Sequence, residues 1–363
     1  MPNNIKSFAF VALALLSFSS CRKEPVDPTV EPLEVPDTYS FENVSFSGQT
    51  ERLDQLEEMV TYMKTSNQMG VQLDKAVLNA MFANTNGDAN GNFSFSSEKD
   101  IKSKTFEPHL TIFDGYFNDI VAASQSMDTG SNGVAGVLFS ADGTESRLHD
   151  AQGFEPVQLI EKRLMGALMY YQATGVYLED EKMNVDNKSV VEGEGTAMQH
   201  HWDEAYGYLG VSIDFPDNTE DVRFWGKYCV GRDALLGTNE RLSLAFLIGR
   251  AAITEDRLDE RDSAIADVRK EWENVCAGTA IHYINQGINN IGDDYVRNHA
   301  LSEAVAFTYS LFYNPERRIT EAQIDEVINL FGDNLYEVST TDLQAARDLL
   351  VGVYGWESIK SAL

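Results

Sequence analysis

Hydrophobic residues recur at every third or fourth position along most of the chain, which is the spacing of one helix face. In residues 52–64 this face carries Leu53, Leu56, Val60 and Met63. The same spacing predicts further helices over 73–81, 110–127, 156–178, 197–209, 221–234, 241–254, 258–286, 295–313, 321–331 and 341–353. Strand patterns are scarce, and 133–140 (GVAGVLFS) is a short candidate. The pattern predicts an all-α fold of about a dozen helices in two packed helical bundles.

The 156–178 segment is long and mostly apolar, so we expect a central helix that is buried on several sides. The chain that follows the N-terminal segment is long enough for about two domains of the usual size. We therefore predict a first helical bundle over 46–215, which contains a helix with a histidine pair, and a second bundle over 216–363.

The N-terminal segment has the layout of a bacterial signal peptide. Lys6 precedes an apolar stretch over 8–18 that is too short to span a bilayer. Small serines at 19–20 stand before Cys21, as in a lipobox. We expect a signal peptide over 1–20 and lipidation of Cys21, with a plain secretory signal and a coincidental cysteine as the alternative.

Four prolines lie within 24–36, so 21–45 is predicted to be an extended tether behind the lipidated cysteine. A lipid anchor and a spacer would hold the folded part at a membrane surface without spanning the membrane. The expected location is the bacterial cell envelope, either periplasmic or exposed on the cell surface.

The chain is strongly acidic, with 57 Asp and Glu residues, 28 Lys and Arg residues and a net charge of −29. This charge argues against a nucleic-acid partner and against direct docking on anionic lipid headgroups. We therefore expect contact with the membrane through the lipid anchor only. Cys229 and Cys276 lie in apolar helical patterns, which favours buried free thiols, although a disulfide between them stays open.

Two adjacent histidines and two carboxylates lie close together in GEGTAMQHHWDEAYGYLG, residues 193–210. On a helix, Glu204 shares a face with His201 at i, i+3 and with His200 at i, i+4, and Asp203 lies three residues after His200. Helical bundles build metal sites from such pairs, and imidazole with carboxylate suits iron, zinc or manganese. The alternative is a hydrogen bond or salt bridge without a ligand.

Three further residues are secondary candidates for such a site. His299 and Glu303 are spaced i, i+4 on the helix predicted over 295–313. Glu161 stands just before the apolar part of the central helix, where it either pairs with a basic neighbour or faces an interior site. His282 is interpreted as a core histidine and His149 as part of a polar loop. The chain has neither a G-x-S-x-G nor an H-E-x-x-H motif, so a catalytic nucleophile has little support.

The segment HWDEAYGYLG, beginning at His201, resembles the H-x-x-E motif of the imelysin-like superfamily. The segments at 161–172, 224–253 and 299–311 are similar more specifically to a lipoprotein branch catalogued as domain of unknown function 4856, from about Phe41 onward. The resemblance implies a helical envelope protein of two bundles that is often linked to iron. It also implies that His201 and Glu204 are the metal ligands and favours a binding protein over an enzyme.

Three functions are compatible with these observations. The first is an anchored protein that binds a metal ion, with iron preferred to zinc, or a metal-bearing ligand, and that serves an uptake-system partner protein. The second is an imelysin-type metallopeptidase in which Glu204 would act as the general base on a metal-bound water. The third is a non-catalytic interaction protein in which the His–Glu pairs are structural.

Overall fold

Twelve α-helices account for most of the residues that the computed structural model describes, which are 31–363. They are α1 (Ser47–Lys64), α2 (Lys75–Phe82), α3 (Leu110–Ser124), α4 (Pro156–Leu164), α5 (Asp180–Met183), α6 (Ala197–Gly207), α7 (Trp225–Leu236), α8 (Thr238–Thr254), α9 (Leu258–Asn289), α10 (Asp294–Ser310), α11 (Glu321–Phe331) and α12 (Thr340–Tyr354). The all-α prediction is confirmed. None of the helices in this part of the chain is long and apolar enough to cross a membrane. The predicted signal peptide and Cys21 lie outside the described residues.

The longest helix, α9, forms the centre of the fold and packs against α7, α8, α10 and α12. Its middle carries side chains such as Trp272, Cys276 and Ile281, which are fully buried. Cys229 and Cys276 are both free and buried, which confirms the prediction of free thiols. Residues 34–363 form one compact unit, and the predicted division into two bundles near residue 216 stays a prediction.

The predicted central helix begins as α4 and then changes its winding. Residues Met165–Tyr170 and Ala173–Tyr177 form π-helical turns, in which each backbone hydrogen bond spans one residue more than in an α-helix. The segment is buried as predicted and packs against α10. Gly166 permits this close packing, because a Cβ atom there would lie 2.3 Å from the Ser310 hydroxyl oxygen.

A two-stranded antiparallel hairpin, β1 (Gly136–Phe139) and β2 (Ser146–His149), is the one sheet within the described residues. The first strand confirms the short candidate at 133–140, whereas the second was not predicted. The interpretation of His149 as part of a polar loop is wrong, because His149 pairs with Gly136 and is 0% exposed. His149 is buried because the hairpin lies against the helices, and its polar neighbours in the sequence give no sign of this burial.

The end of the predicted tether belongs to the folded unit. Tyr39 is buried and stacks on Tyr206 of α6 with a centroid distance of 3.8 Å. Its backbone N–H donates to the carbonyl oxygen of Ile213 at 2.8 Å. The prediction of an extended tether as far as residue 45 is therefore wrong for the residues around Tyr39, because aromatic packing holds this segment on α6.

Candidate functional site

The histidine pair and Glu204 lie together on α6, as their spacing predicts. The helix begins at a capping box, in which Thr196 and Gln199 exchange hydrogen bonds between side chain and backbone. His201 Nδ1 lies 3.0 Å from Glu204 Oε2, and His200 Nε2 lies 4.0 Å from the same oxygen. The i, i+3 and i, i+4 relations predicted from the sequence are confirmed.

Glu204 is held from a second helix. The Gln49 side chain of α1 donates to Glu204 Oε1 at 3.0 Å. Burial raises the pKa of the Glu204 carboxyl, but hydrogen bonds from His201 and Gln49 outweigh it, so the pKa lies below its usual value. Glu204 is therefore an ionised carboxylate with both oxygens engaged.

A pocket of about 300 Å³ opens beside this pair, between the first turns of α1 and the side of α6. We call it the His–Glu pocket, and its polar lining consists of Ser45, Ser47, Gln49, Arg52, Lys99, Lys104, Tyr177, Glu194, His200 and Glu204. Burial and the charge of Arg52 lower the pKa of Lys104, whose ammonium lies 3.3 Å from the Tyr177 hydroxyl. The lining thus combines one imidazole, two carboxylates and three cationic side chains.

The donor set of the pocket is incomplete for a bare metal ion. Protein zinc sites use three or four protein ligands. Throughout residues 31–363, no three or more His, Cys, Asp or Glu side chains are arranged to hold a metal ion. His200 and Glu204 could occupy part of a coordination sphere, and the three nearby cations oppose a free cation. The residues therefore fit a metal ion only if it brings ligands of its own.

Asp203 lies on another side of α6 and does not line the pocket. It is 0% exposed, and its Oδ1 accepts from Arg250 Nε at 2.9 Å and from the Tyr39 hydroxyl at 2.7 Å. Burial raises the pKa of Asp203 to about 6, although Arg250 and Tyr39 act in the opposite direction. The expectation that Asp203 is a ligand is wrong, because its side chain joins α6 to α8 in a buried ion pair.

His299 and Glu303 belong to a different network. His299 Nδ1 lies 2.6 Å from Glu155 Oε2, and His299 Nε2 lies 3.5 Å from Glu303 Oε1. The Tyr228 hydroxyl donates to the other oxygen of Glu303 at 3.0 Å. The predicted i, i+4 relation is confirmed, but the hydrogen bonds and ion pairs of this network share no residue with those of His201 and Glu204.

The profile of a family described as a domain of unknown function (DUF4856) matches residues 36–345, which include α6 and both networks. The chain belongs to the DUF4856 family. No curated protein and no solved structure matches it. The resemblance to DUF4856 is confirmed, whereas the wider relation of this DUF4856 chain to imelysin-like proteins stays a prediction.

The sequence interpretation of the DUF4856 chain missed two polar partners. Glu155 is 1% exposed and bonds His299, yet it stands in the sequence as one acid before a proline. Gln49 is equally buried, and its position as a polar residue within the apolar face of α1 was the signal available in the sequence.

Two other sequence interpretations can be compared with the structure. Glu161 pairs with Lys162 at 2.7 Å, which is one of the two roles predicted for Glu161, and it lines a second pocket. His282 has partners for both ring nitrogens, as predicted, but it is half-buried and does not lie in the core: its Nδ1 lies 2.8 Å from the Leu363 carbonyl oxygen and its Nε2 lies 2.7 Å from Gln286 Nε2.

Proposed function

We propose that this DUF4856 protein is a lipid-anchored binding protein of the cell envelope that holds a metal-bearing organic anion in the His–Glu pocket. The observation that carries the proposal is the juxtaposition of His200 and Glu204 with three cationic side chains around one pocket. Imidazole and carboxylate are donors for iron or zinc, and the cations complement the negative groups of a chelator. The envelope location and the anchor rest on the sequence of the N-terminal segment.

His200 supplies the imidazole of the pocket. Its Nε2 lies 4.0 Å from Glu204 Oε2, beyond hydrogen-bond distance, and its side chain is 29% exposed. His201, in contrast, is engaged by Glu204 and orients that carboxylate. In the proposed complex His200 and Glu204 complete the coordination of a metal that arrives with a chelator, and Arg52, Lys99 and Lys104 bind the chelator. An uptake-system partner would receive the ligand.

The geometry gives less support to a metallopeptidase. A general base for a metal-bound water needs a free oxygen and a pKa near the working pH. Both oxygens of Glu204 accept hydrogen bonds, and its pKa is lowered. The proposed role is therefore binding and not hydrolysis.

One observation favours a second candidate, a non-catalytic interaction protein with structural His–Glu pairs. The Gln49–Glu204–His201 chain of hydrogen bonds ties α1 to α6, and a purely structural pair would make the same contacts. Under this candidate, substitution of His201 or Glu204 lowers stability and changes no ligand affinity.

The test uses the lipidated full chain, purified in detergent without a histidine tag. Elemental mass spectrometry measures its metal content, and calorimetry measures binding of ferric nitrilotriacetate, a chelate that leaves coordination positions open on iron. We expect His200→Ala and Lys104→Ala to weaken binding about tenfold or more, the loss of one charged contact of roughly 1.5–3 kcal/mol. Lys102→Ala is the matched control, because Lys102 is exposed on the same segment and does not line the pocket.

Each result separates the candidates. Equal affinities in the parent chain, His200→Ala and Lys104→Ala would remove the His–Glu pocket as the site. Tight binding of ferrous ion alone, unaffected by Lys104→Ala, would contradict an anionic chelate as the ligand. No binding of either probe, together with lower stability of His201→Ala, would favour the interaction protein.

A further inference from the structure

A second pocket, with a volume of about 250 Å³, lies between α1, α4 and the start of α7. We call it the lysine pocket. Its charged lining consists of Glu57, Lys64, Glu161, Lys162, Arg223 and Lys227. Four cations face two carboxylates here, although the whole chain has twice as many acidic as basic residues. The lining therefore carries a net positive charge in a protein that is negative overall, and this favours an anionic ligand.

The lysines of this pocket have too few protein partners. Arg223 is paired with Asp54 and with Glu57, which is itself part of the lining. Glu161 is then the one carboxylate of the lining left for three ammonium groups. The Lys162 ammonium lies 2.7 Å from Glu161 Oε1, and the Lys64 ammonium lies 3.9 Å from Glu161 Oε2. Lys227 forms no side-chain hydrogen bond or ion pair within the described residues. One or two negative charges from a ligand would balance the lining.

Glu161 carries a second, independent sign of a missing ligand. It is 8% exposed, and its buried Oε2 accepts no hydrogen bond among the described residues, since the Lys64 ammonium stays 3.9 Å away. Burial raises the pKa of Glu161, but Lys162 and Lys64 lower it further, so the group is a carboxylate. Buried carboxylate oxygens are almost always satisfied by a donor. A ligand in this pocket must therefore donate a hydrogen bond as well as carry negative charge.

The inner wall of the pocket, formed by Lys162, Tyr228 and Phe224, is fixed before a ligand enters. Lys162 is held by Glu161 and lies 5.5 Å from the centre of the Tyr228 ring, whose hydroxyl is bonded to Glu303. Phe224 lines the pocket with a φ of +44°, a conformation that a non-glycine residue keeps only when its surroundings impose it. Side chains held in this way lose little freedom on binding.

We propose that the lysine pocket binds a small hydroxycarboxylate or sugar acid, with its carboxylate on Lys64, Lys162 and Lys227 and a hydroxyl donating to Glu161 Oε2. The volume is too small for a peptide or an oligonucleotide. A ligand ammonium is opposed by the three lysines. A neutral hydroxyl can donate a hydrogen bond to the Glu161 carboxylate without being repelled by the lysines.

The experiment measures binding to the full chain by calorimetry in metal-free buffer, with gluconate as the probe. Hexanoate tests the need for hydroxyl groups, and inorganic phosphate tests the need for a carboxylate. We expect gluconate to bind more tightly than either. Lys227→Met should weaken gluconate binding at least tenfold, and it should leave the fold intact, because Lys227 is exposed and interacts with Glu161 only through its charge. Lys188→Met is the matched control, an exposed lysine outside the pocket.

Glu161→Gln gives the second readout. It removes the carboxylate that accepts the ligand hydroxyl, so the preference for gluconate over hexanoate should shrink. No binding of gluconate to the parent chain, or equal binding to Lys227→Met, would overturn the proposal. Phosphate binding as tight as gluconate binding would overturn the ligand class. A metal-free readout also keeps this test separate from the His–Glu pocket.

Discussion

His149 should make the protein less stable as the pH falls below neutrality. It is 0% exposed, its Nδ1 lies 3.1 Å from the Arg147 carbonyl oxygen, and its Nε2 has no partner in the described part of the chain. The ring is therefore neutral, with Nδ1–H as the donor. Burial lowers the pKa of His149 from 6.5 to about 4, although the charge of Glu155 acts in the opposite direction.

The sign and size of the effect follow from proton linkage. Between pH 6.5 and about 4 the unfolded chain binds a proton at residue 149 that the folded chain does not, so acid favours unfolding. The full lowering of the pKa, from 6.5 to about 4, corresponds to roughly 3 kcal/mol of unfolding free energy, at about 1.4 kcal/mol per unit of pKa. About 2 kcal/mol of it falls between about pH 7.5 and about pH 5. Stability from this group is full above pH 6.5 and is lost as the pH falls towards the folded-state pKa.

The assay compares the parent chain with His149→Gln, which keeps a polar side chain that does not titrate. Urea unfolding followed by tryptophan fluorescence gives the free energy of unfolding of each at several pH values. The variant minus parent difference should rise by about 2 kcal/mol from about pH 7.5 to about pH 5. Asp150 and Asp203, whose pKa values are raised by burial to about 6, act in the opposite direction but equally in both chains. Parallel stability curves would refute the reasoning.

Two further substitutions test the packing of the core. Gly249→Ala should destabilise the protein by about 1–3 kcal/mol, because the new Cβ atom would lie 2.0 Å from the Trp202 ring. Gly352→Ala is its control, a helical glycine with nothing within 4 Å, and should stabilise by about 0.5–1 kcal/mol; thermal unfolding checks both, and equal shifts would contradict the packing argument. Asp203→Ala should cost about 3–5 kcal/mol in urea unfolding, because it leaves the Arg250 charge buried and unpaired, and a loss below about 1 kcal/mol would contradict this.

Hydrophobic spacing was sufficient to predict most helices, because each buries one face regardless of its neighbours. The first helix was predicted over 52–64, and α1 covers Ser47–Lys64. The π-helical turns after α4 were not predictable, since they depend on how the segment packs against α10. Similarly, β2 has mixed polarity and becomes a strand only by pairing with β1.

The candidate site was predictable within one helix but not between helices. Periodicity gave the shared face of His201 and Glu204, because that relation is local. It could not show which neighbour each face meets, so Asp203 turned out to bind Arg250 and His299 to bind Glu155. The lysines of the second pocket come from three separate helices, and no spacing within one segment could have revealed them.

The central position of α9 has a consequence for the order in which the molecule folds. Helices α8, α9 and α10 follow one another in the chain, and α9 packs on both of its neighbours, so these contacts span short sequence distances and close quickly. The His–Glu pocket instead joins residues near 47–52 to residues 200 and 204. We expect the 238–310 segment to gain protection in pulse-labelling hydrogen exchange before α6 does. The ligand site would then form late, on a scaffold that is already in place.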